Sequence, residues 1–335
     1  MIKNQITIKK IASELGVSIS TVSRALKNNT RIGLKTREKV WEVAKRLNYI
    51  PNPAALFLQN NKTYTIGIIV PFLQEEFFSQ VVTGIEDVIF EEGFHPIISQ
   101  SRDNMEREKK AVESFLKMRV DGVLVSVSAE TNTYQHFKEL EKYGIPVVFF
   151  DRVPRNFQAN KVKSRIIDGA LEAIRFLSEN KKTRIGLLNG PSNLEASDER
   201  LNGYLEGIKK YDLKTSPQYI KTTNLSKEDT ALKMKEFLAQ DDIPEAIITF
   251  NDYVALYAMR ACKEQGVIPN KDIQFVSFAN LPITGLMENP PLASVEQFPV
   301  LIGSQSAKLL LNCINDTREY TEYQEVIIKT ELIIH

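Results

Sequence analysis

From Tyr64 onward, short apolar runs alternate with stretches of helical periodicity, and this alternation restricts the chain to one fold class. TIGIIV (65–70), PIISQ (96–100), GVLVSV (122–127) and PVVFF (146–150) each predict a strand. The segments 79–91, 107–118 and 134–143 predict the helices between and after them. RIGLLNG (184–190), QYIKTT (218–223), AIITF (246–250) and IQFVSF (273–278) repeat the pattern. Strands that are apolar throughout, rather than at alternate positions, belong to parallel sheets covered on both faces by crossover helices. An α/β body of two doubly wound halves is expected. Ligands should bind beyond the carboxyl ends of the strands, where the two halves face each other across a cleft.

The first 62 residues are of another kind. The 335-residue chain has a net charge of only +1, which by itself suggests no partner. Twelve basic against three acidic residues nevertheless put positions 1–62 at +9, and the remaining 273 positions carry 31 basic against 39 acidic, a net −8. A small basic module on an acidic body suggests a polyanion as the module's partner. Ile8, Ile11, Ala12 and Leu15 follow helical spacing, with Thr7 as the expected N-cap and Gly16 as the residue that supplies a positive φ at the end. Ser18 should cap a second helix that turns Val22, Ala25 and Leu26 inward. Segment 35–47 should form a third, with Val40, Val43, Ala44 and Leu47 inside. Two short helices across a tight turn, closed by a third, make a helix-turn-helix. Ile19, Ser20, Ser23 and Arg24 then fall on the outer face, where an isoleucine makes sense against thymine methyl groups in a major groove.

The run TIKKIASELGVSISTVSRALKN, followed by KTREKVWEVAKRLNYIPNPAALFL, resembles the headpiece of the lactose-repressor (LacI/GalR-type) family of bacterial transcription regulators, without gaps. The resemblance extends to the last strand and implies a three-helix headpiece on a core like that of periplasmic sugar-binding proteins, with the chain crossing between the core's halves three times. It implies that Ile19 and Ser20 vary with operator sequence and that Arg24 contacts bases. Ser18, Thr21, Ser23, Asn28 and Arg31 would contact phosphates or position the helix, and Thr7 joins the DNA-facing set. Pro51 and Pro53 end the third helix, and 52–59 would form a hinge helix that orders on DNA. There Asn52 and Ala55 would face DNA, and Leu58 would wedge into the minor groove. Leu56 and Phe57 read as packing residues. The expected division is a headpiece at 1–50, a hinge at 51–62 and a core at 63–335. Within the core, one subdomain would span about 63–162 and 293–325, the other about 163–292 and 326–335.

Strand ends supply the pocket candidates. Phe72, Phe77 and Phe78 follow TIGIIV, where the family stacks aromatics on its effector, although the same residues also read as core. Asp151 and Arg152 follow PVVFF. Arg200, in D-E-R-L-N-G-Y, matches the family's R-x-x-G-F/Y effector arginine. Asn251-Asp252 matches its N-D, and Gln297 its T-x-x-Q-P segment; Asp151 and Asn251 also read as helix caps or loop anchors. After IQFVSF, whose Phe278 is a candidate, many members carry G-F/Y-D-D, whereas this chain has Ala279 and Asn280. The missing carboxylate favours an acidic ligand, such as a uronate-type sugar or sugar phosphate, held bidentately by Arg200. A neutral sugar is the alternative, with Asp151 or Asp252 pairing Arg200 and Asn280 taking the hydroxyls. Arg165 begins the segment R-I-I-D-G-A, where the family has D-N-x-x-G-A, and its orientation is open.

No phosphate-binding, dinucleotide-binding or nucleophile-elbow motif is present, and His95, His136 and His335 are scattered, so neither an enzyme nor a metal site is expected. No cofactor is expected. Cys262 and Cys313 make no disulfide framework, and no secretory or membrane-spanning run is visible, which suggests a cytoplasmic protein. The chain ends on EVIIKTELIIH without a leucine-heptad tail, so a homodimer on a pseudo-palindromic DNA operator is expected. A transport solute-binding protein would need a signal peptide and no basic headpiece. An enzyme with a DNA-binding module would need a catalytic constellation at the strand ends.

Overall fold

A computed structural model describes residues 6–49, 62–155, 157–315 and 322–335. The chain divides into two compact units, residues 1–63 and 64–335. The hinge candidates Asn52, Ala55 and Leu58 lie outside the described residues.

In the first unit, α1 (Ile8–Leu15), α2 (Ile19–Leu26) and α3 (Leu34–Arg46) enclose a small core of Ile11, Ala12, Val22, Ala25, Val40, Val43 and Ala44. Leu26 and Leu47 pack at its edge. Gly16 ends α1 at φ +64°, the left-handed conformation that a glycine adopts without steric cost. Ser18 caps α2 as expected, its hydroxyl accepting from the Thr21 N–H at 3.1 Å. Thr7 does not cap α1 with its side chain. Its carbonyl instead accepts from the N–H groups of Lys10 and Ile11.

In the second unit, strands and helices alternate. β1 (Thr65–Val70), α4 (Glu76–Glu91), β2 (His95–Gln100), α5 (Met105–Met118), β3 (Gly122–Val125), α6 (Gln135–Lys142), β4 (Val147–Phe150) and β5 (Asn160–Ser164) come first. They are followed by α7 (Ile166–Glu179), β6 (Ile185–Asn189), α8 (Glu195–Lys210), β7 (Ile220–Thr222), α9 (Lys227–Leu238), β8 (Ala246–Thr249), α10 (Asp252–Glu264) and β9 (Gln274–Ala279). The last elements are β10 (Ala293–Glu296), α11 (Pro299–Asn315), β11 (Glu325–Ile328) and β12 (Glu331–Ile334). The first sheet has the order β2-β1-β3-β4-β5-β11 and the second β7-β6-β8-β9-β10-β12. Every described pairing is parallel except that of β12 with β10. Each sheet buries both faces. In the first, Ile66, Ile68 and Val70 pack toward α4 and α11, while Ile69, Val123 and Val125 pack toward α5 and α6. This two-sided burial is why the strands read as unbroken apolar runs.

The strand orders move two expected boundaries. β10 pairs with β9, so 293–296 belongs to the second sheet and the chain recrosses after Glu296. β11 pairs with β5, so 325–328 stays in the first sheet and the last crossing falls between Ile328 and Glu331. EVIIKTELIIH is therefore two strands in two sheets. With the passage from β5 to α7, the described chain crosses three times.

Candidate DNA-binding face and effector cleft

On the first unit, α2 presents Ile19, Ser20 and Arg24 to solvent, with Thr21 and Ser23 half-buried. Ile19 is 43% exposed although seven other apolar side chains of the unit are buried. The Ser18 hydroxyl lies 2.8 Å from the hydroxyls of both Ser20 and Thr21, which orders the first turn of α2. Asn28 follows the helix at φ +53° and is held by α3: its carbonyl accepts from Arg37 Nη1 and its Oδ1 from Trp41 Nε1 at 3.3 Å. Arg31 is exposed, its N–H donating to Asn29 Oδ1.

In the second unit, the loops after β1, β4, β6, β8, β9 and β10 converge on a cavity of about 550 Å³, open to solvent. Both halves line it. Glu75, Phe77, Phe78, Asp151 and Arg152 come from one; Leu194, Ala196, Arg200, Phe250, Asn251, Tyr253, Ala279 and Leu281 come from the other, and Gln297 lies at the second crossing.

Arg200 is the centre of this cavity and is 3% exposed. Its guanidinium lies between two rings, 4.1 Å from the Phe250 centroid and 4.4 Å from that of Phe278. Nη1 donates to the Ala196 carbonyl at 3.0 Å, and Nη2 reaches Gln297 Oε1 at 3.5 Å. Nε has no partner among the described residues, and no described carboxylate lies within ion-pair distance. Burial pulls the guanidinium down to about 10, against the opposing pull of Asp151 and Glu199. The R-x-x-G-Y motif also explains how α8 is fixed. A Cβ on Gly203 would lie 2.6 Å from the Ile167 carbonyl oxygen, so only glycine lets α8 approach α7 this closely. One residue on, the buried Tyr204 hydroxyl donates to the Ile185 carbonyl at 2.7 Å.

Facing Arg200, the half-buried Asp151 carboxyl has no hydrogen-bond partner among the described residues, and burial raises it above the usual carboxylate range. Glu75 is raised in the same way, with Arg152 pulling it back. Arg152 is already neutralised by Asp103 at 2.5 Å and sits over the Phe78 ring. Asn251 lines the cavity and caps α10 as well, its Oδ1 accepting from the Val254 N–H at 2.9 Å. Phe77 and Phe78 line the cavity while packed in the core.

Four candidates stand elsewhere. Asp252 is fully buried and accepts from the hydroxyls of Ser277 and Ser294 and from the Leu281 N–H at 2.6 Å. It braces β9 and β10 from behind the cavity because the first turn of α10 points it inward, and burial raises its carboxyl to about 6. Phe278 is a core residue one layer behind, stacked on Arg200. Asn280 donates to Glu296 at 2.8 Å, which takes up the amide expected to meet ligand hydroxyls. Phe72 is half-buried outside the lining. Arg165 is mostly exposed and pairs with Asp168 at 3.1 Å rather than entering the cleft. The lining residues not anticipated are Glu75, Leu194, Ala196, Phe250, Tyr253, Ala279 and Leu281. Glu75 and Phe250 obey the strand-end rule, which identifies them once every residue of those loops is considered.

A helix-turn-helix unit followed by two doubly wound halves that both line one cleft defines a class of regulator, and comparison with known proteins agrees. Residues 7–52 match the family model described as bacterial regulatory proteins, lacI family, and residues 63–335 the model for periplasmic binding proteins and the sugar binding domain of the LacI family. The chain belongs to the LacI family of bacterial regulatory proteins. It is 32% identical over 308 residues to the ribose operon repressor of Bacillus subtilis (strain 168), covering 92% of this chain and 91% of that one. The Lac repressor dimer bound to operator and the anti-inducer ONPF superposes with a TM-score of 0.86 at 25% identity, over 98% of each chain. The complex of the transcriptional regulator CelR with cellobiose superposes with a TM-score of 0.73 at 26% identity, again over 98% of each chain. Among the described residues, no helix is long and apolar enough to cross a membrane, and no group of His, Cys, Asp and Glu side chains is placed to hold a metal ion.

Proposed function

We propose that this chain is a transcriptional repressor that binds a pseudo-palindromic operator as a homodimer and is controlled by a sugar in its cleft. The observation that carries the sugar reading is the pairing of unmet needs in one cavity. Among the described residues, Arg200 Nε–H and the Asp151 carboxylate have no hydrogen-bond partner. A ring bearing several hydroxyls accepts from the first and donates to the second, and hydrogen bonds to charged groups are the strong ones. Phe77 and Phe78 offer apolar edges to the ring, and Asn251 and Gln297 further polar contacts. An acidic sugar fits less well than the loss of a carboxylate at Ala279 suggests, because Glu75 and Asp151 already bring two carboxylates to the lining. The names of the relatives, a ribose operon repressor and a cellobiose complex, support a neutral sugar.

On DNA, Ile19, Ser20 and Arg24 would meet base edges. Ser18, Thr21, Ser23 and Arg31 would meet the backbone, with Thr7 and Asn28 setting the approach. Asn52, Ala55 and Leu58 would form the minor-groove contact. Such a protein works on the nucleoid, in the cytoplasm. The test is fluorescence anisotropy of the full chain on a site recovered by selection from random duplexes, with and without sugars. Arg24→Ala should weaken that site by about 1–3 kcal/mol while sparing random DNA. Equal losses on both DNAs, or a single half-site binding as well as the whole, would refute the proposal.

A further inference from the structure

The start of α8 serves two partners at once. Ala196 and Arg200, one turn apart, line the cavity. Glu195 and Glu199, one turn apart on the adjoining stripe, meet Lys163 of β5, which belongs to the other half of the core. Like charges at this spacing on a helix repel each other, so the two carboxylates call for a cation. Lys163 Nζ supplies it, 2.6 Å from Glu195 and 3.0 Å from Glu199, with Glu325 of β11 at 3.5 Å.

Only 16% of the Lys163 side chain is exposed. Burial pulls its ammonium down, but Glu195 and Glu199 outweigh burial and hold it above the ordinary lysine value. Glu199 is raised by burial against the pull of Lys163, so it depends on that ammonium to stay ionised. Arg155, in the loop between β4 and β5, makes a second link to the same helix. It reaches Asp198 at 2.8 Å and the Ser192 carbonyl at 3.3 Å. That pair is partly exposed, and pairs of this kind are worth little by themselves.

Acids in a helix's first turn gain from its dipole, which accounts for Glu195 and Asp198. It does not account for Glu199, one turn further in, nor for a buried lysine brought to it from the opposite half. Neither Lys163 nor Arg155 lines the cavity. We propose that these two cations are positioning residues of the effector cleft: they clamp the start of α8 to the first half of the core, Lys163 strongly and Arg155 weakly, and so keep Arg200 opposite Asp151. The separation of the two walls is then set by charges that stand outside the ligand's reach, and a hinge motion between the halves has to break them.

Pulsed electron-spin distance measurements on the full chain test the clamp. Labels at Gln135→Cys and Glu206→Cys mark the two halves at exposed positions, while Cys262 and Cys313 are buried. Dilution with unlabelled chain removes distances between protomers. Wild type should give one short separation. Lys163→Met, and independently Glu195→Gln with Glu199→Gln, should raise the ratio of long to short separations by about tenfold or more. Lys163→Arg should keep the short one, and Arg155→Gln should shift the ratio only about two- to fivefold. Glu195→Lys with Glu199→Lys should part the walls, and adding Lys163→Glu should bring them back, a rescue that packing of the lysine stem cannot produce. Wild-type separations in both the methionine and the double glutamine variants, or walls that stay apart in the fully reversed protein, would overturn the clamp. The distances are read without ligand, so failure of the sugar reading would leave this result standing.

Discussion

Replacing Arg200 by methionine should abolish effector binding yet leave the ligand-free protein about as stable as before. Buried arginines are ordinarily costly to remove, because the carboxylate they neutralise is left behind, at about 3–5 kcal/mol. Among the described residues, Arg200 has no such partner in contact. Burial holds its guanidinium at about 10 instead of 12.5, which disfavours the charged form in the folded state by about 3 kcal/mol. The sign follows from a base whose folded value is depressed: the penalty is present in full at neutral pH and is relieved only as pH rises past about 10. Against it stand two ring contacts, worth about 1 kcal/mol each, and the bond to the Ala196 carbonyl, worth about 1–2 kcal/mol. The two sides nearly cancel. Methionine fills similar volume, keeps favourable contacts with Phe250 and Phe278, and needs no hydration. Urea and thermal unfolding of Arg200→Met should therefore agree with wild type within about 1 kcal/mol, or about 3 °C in Tm. Calorimetry with the sugar that binds wild type should show no heat. A loss above about 3 kcal/mol would refute the reasoning and identify Arg200 as one half of a structural ion pair with Asp151.

Two further outcomes follow from the same region. Gly203→Ala places a Cβ 2.6 Å from the Ile167 carbonyl oxygen and 2.7 Å from the Ala170 Cβ, so it should destabilise by about 1–3 kcal/mol and weaken effector binding through displacement of α8; unchanged urea midpoint and affinity would count against the packing role. Asp252, raised from 3.8 to about 6, contributes stability that is complete below pH 3.8 and lost as pH rises through about 6, a fall of about 3 kcal/mol. Urea unfolding across that range should show a slope for wild type that Asp252→Asn lacks, and equal slopes in the two proteins would contradict it.

How much of this was legible in the sequence depended on which physical signal each element carries. The core strands stand out because both faces are buried. β5 does not, because Asn160–Ser164 alternates buried and half-buried residues and carries Lys161 and Lys163. Lys163 is tied to Glu195 and Glu199 of α8 and to Glu325, partners far away in sequence that no local pattern reveals. The split of EVIIKTELIIH at Lys329 and Thr330 is equally silent, because both pieces are strands and only their pairing differs.

The cavity obeys the same division between position and direction. Asn251 and Asp252 are adjacent at one strand end, and only Asn251 lines the cleft, because Asn251 is the extended N-cap residue while Asp252 opens α10 with its side chain turned inward to Ser277, Ser294 and the Leu281 N–H. Nearness to a strand's carboxyl end thus selects the right loops, while the choice of side chain within each loop belongs to the packing behind it. For the same reason, Ala279 read alone points to a different ligand from the one proposed for the whole cavity. Position by position it marks a lost carboxylate, which argues for a ligand that carries its own charge. The assembled cavity has Glu75 on the opposite wall and Asp151 beside Arg200, so the acceptors for ligand hydroxyls come from the other half of the core. Ligand chemistry is set by the sum over all walls, and the proposed neutral sugar rests on that sum rather than on Ala279 alone.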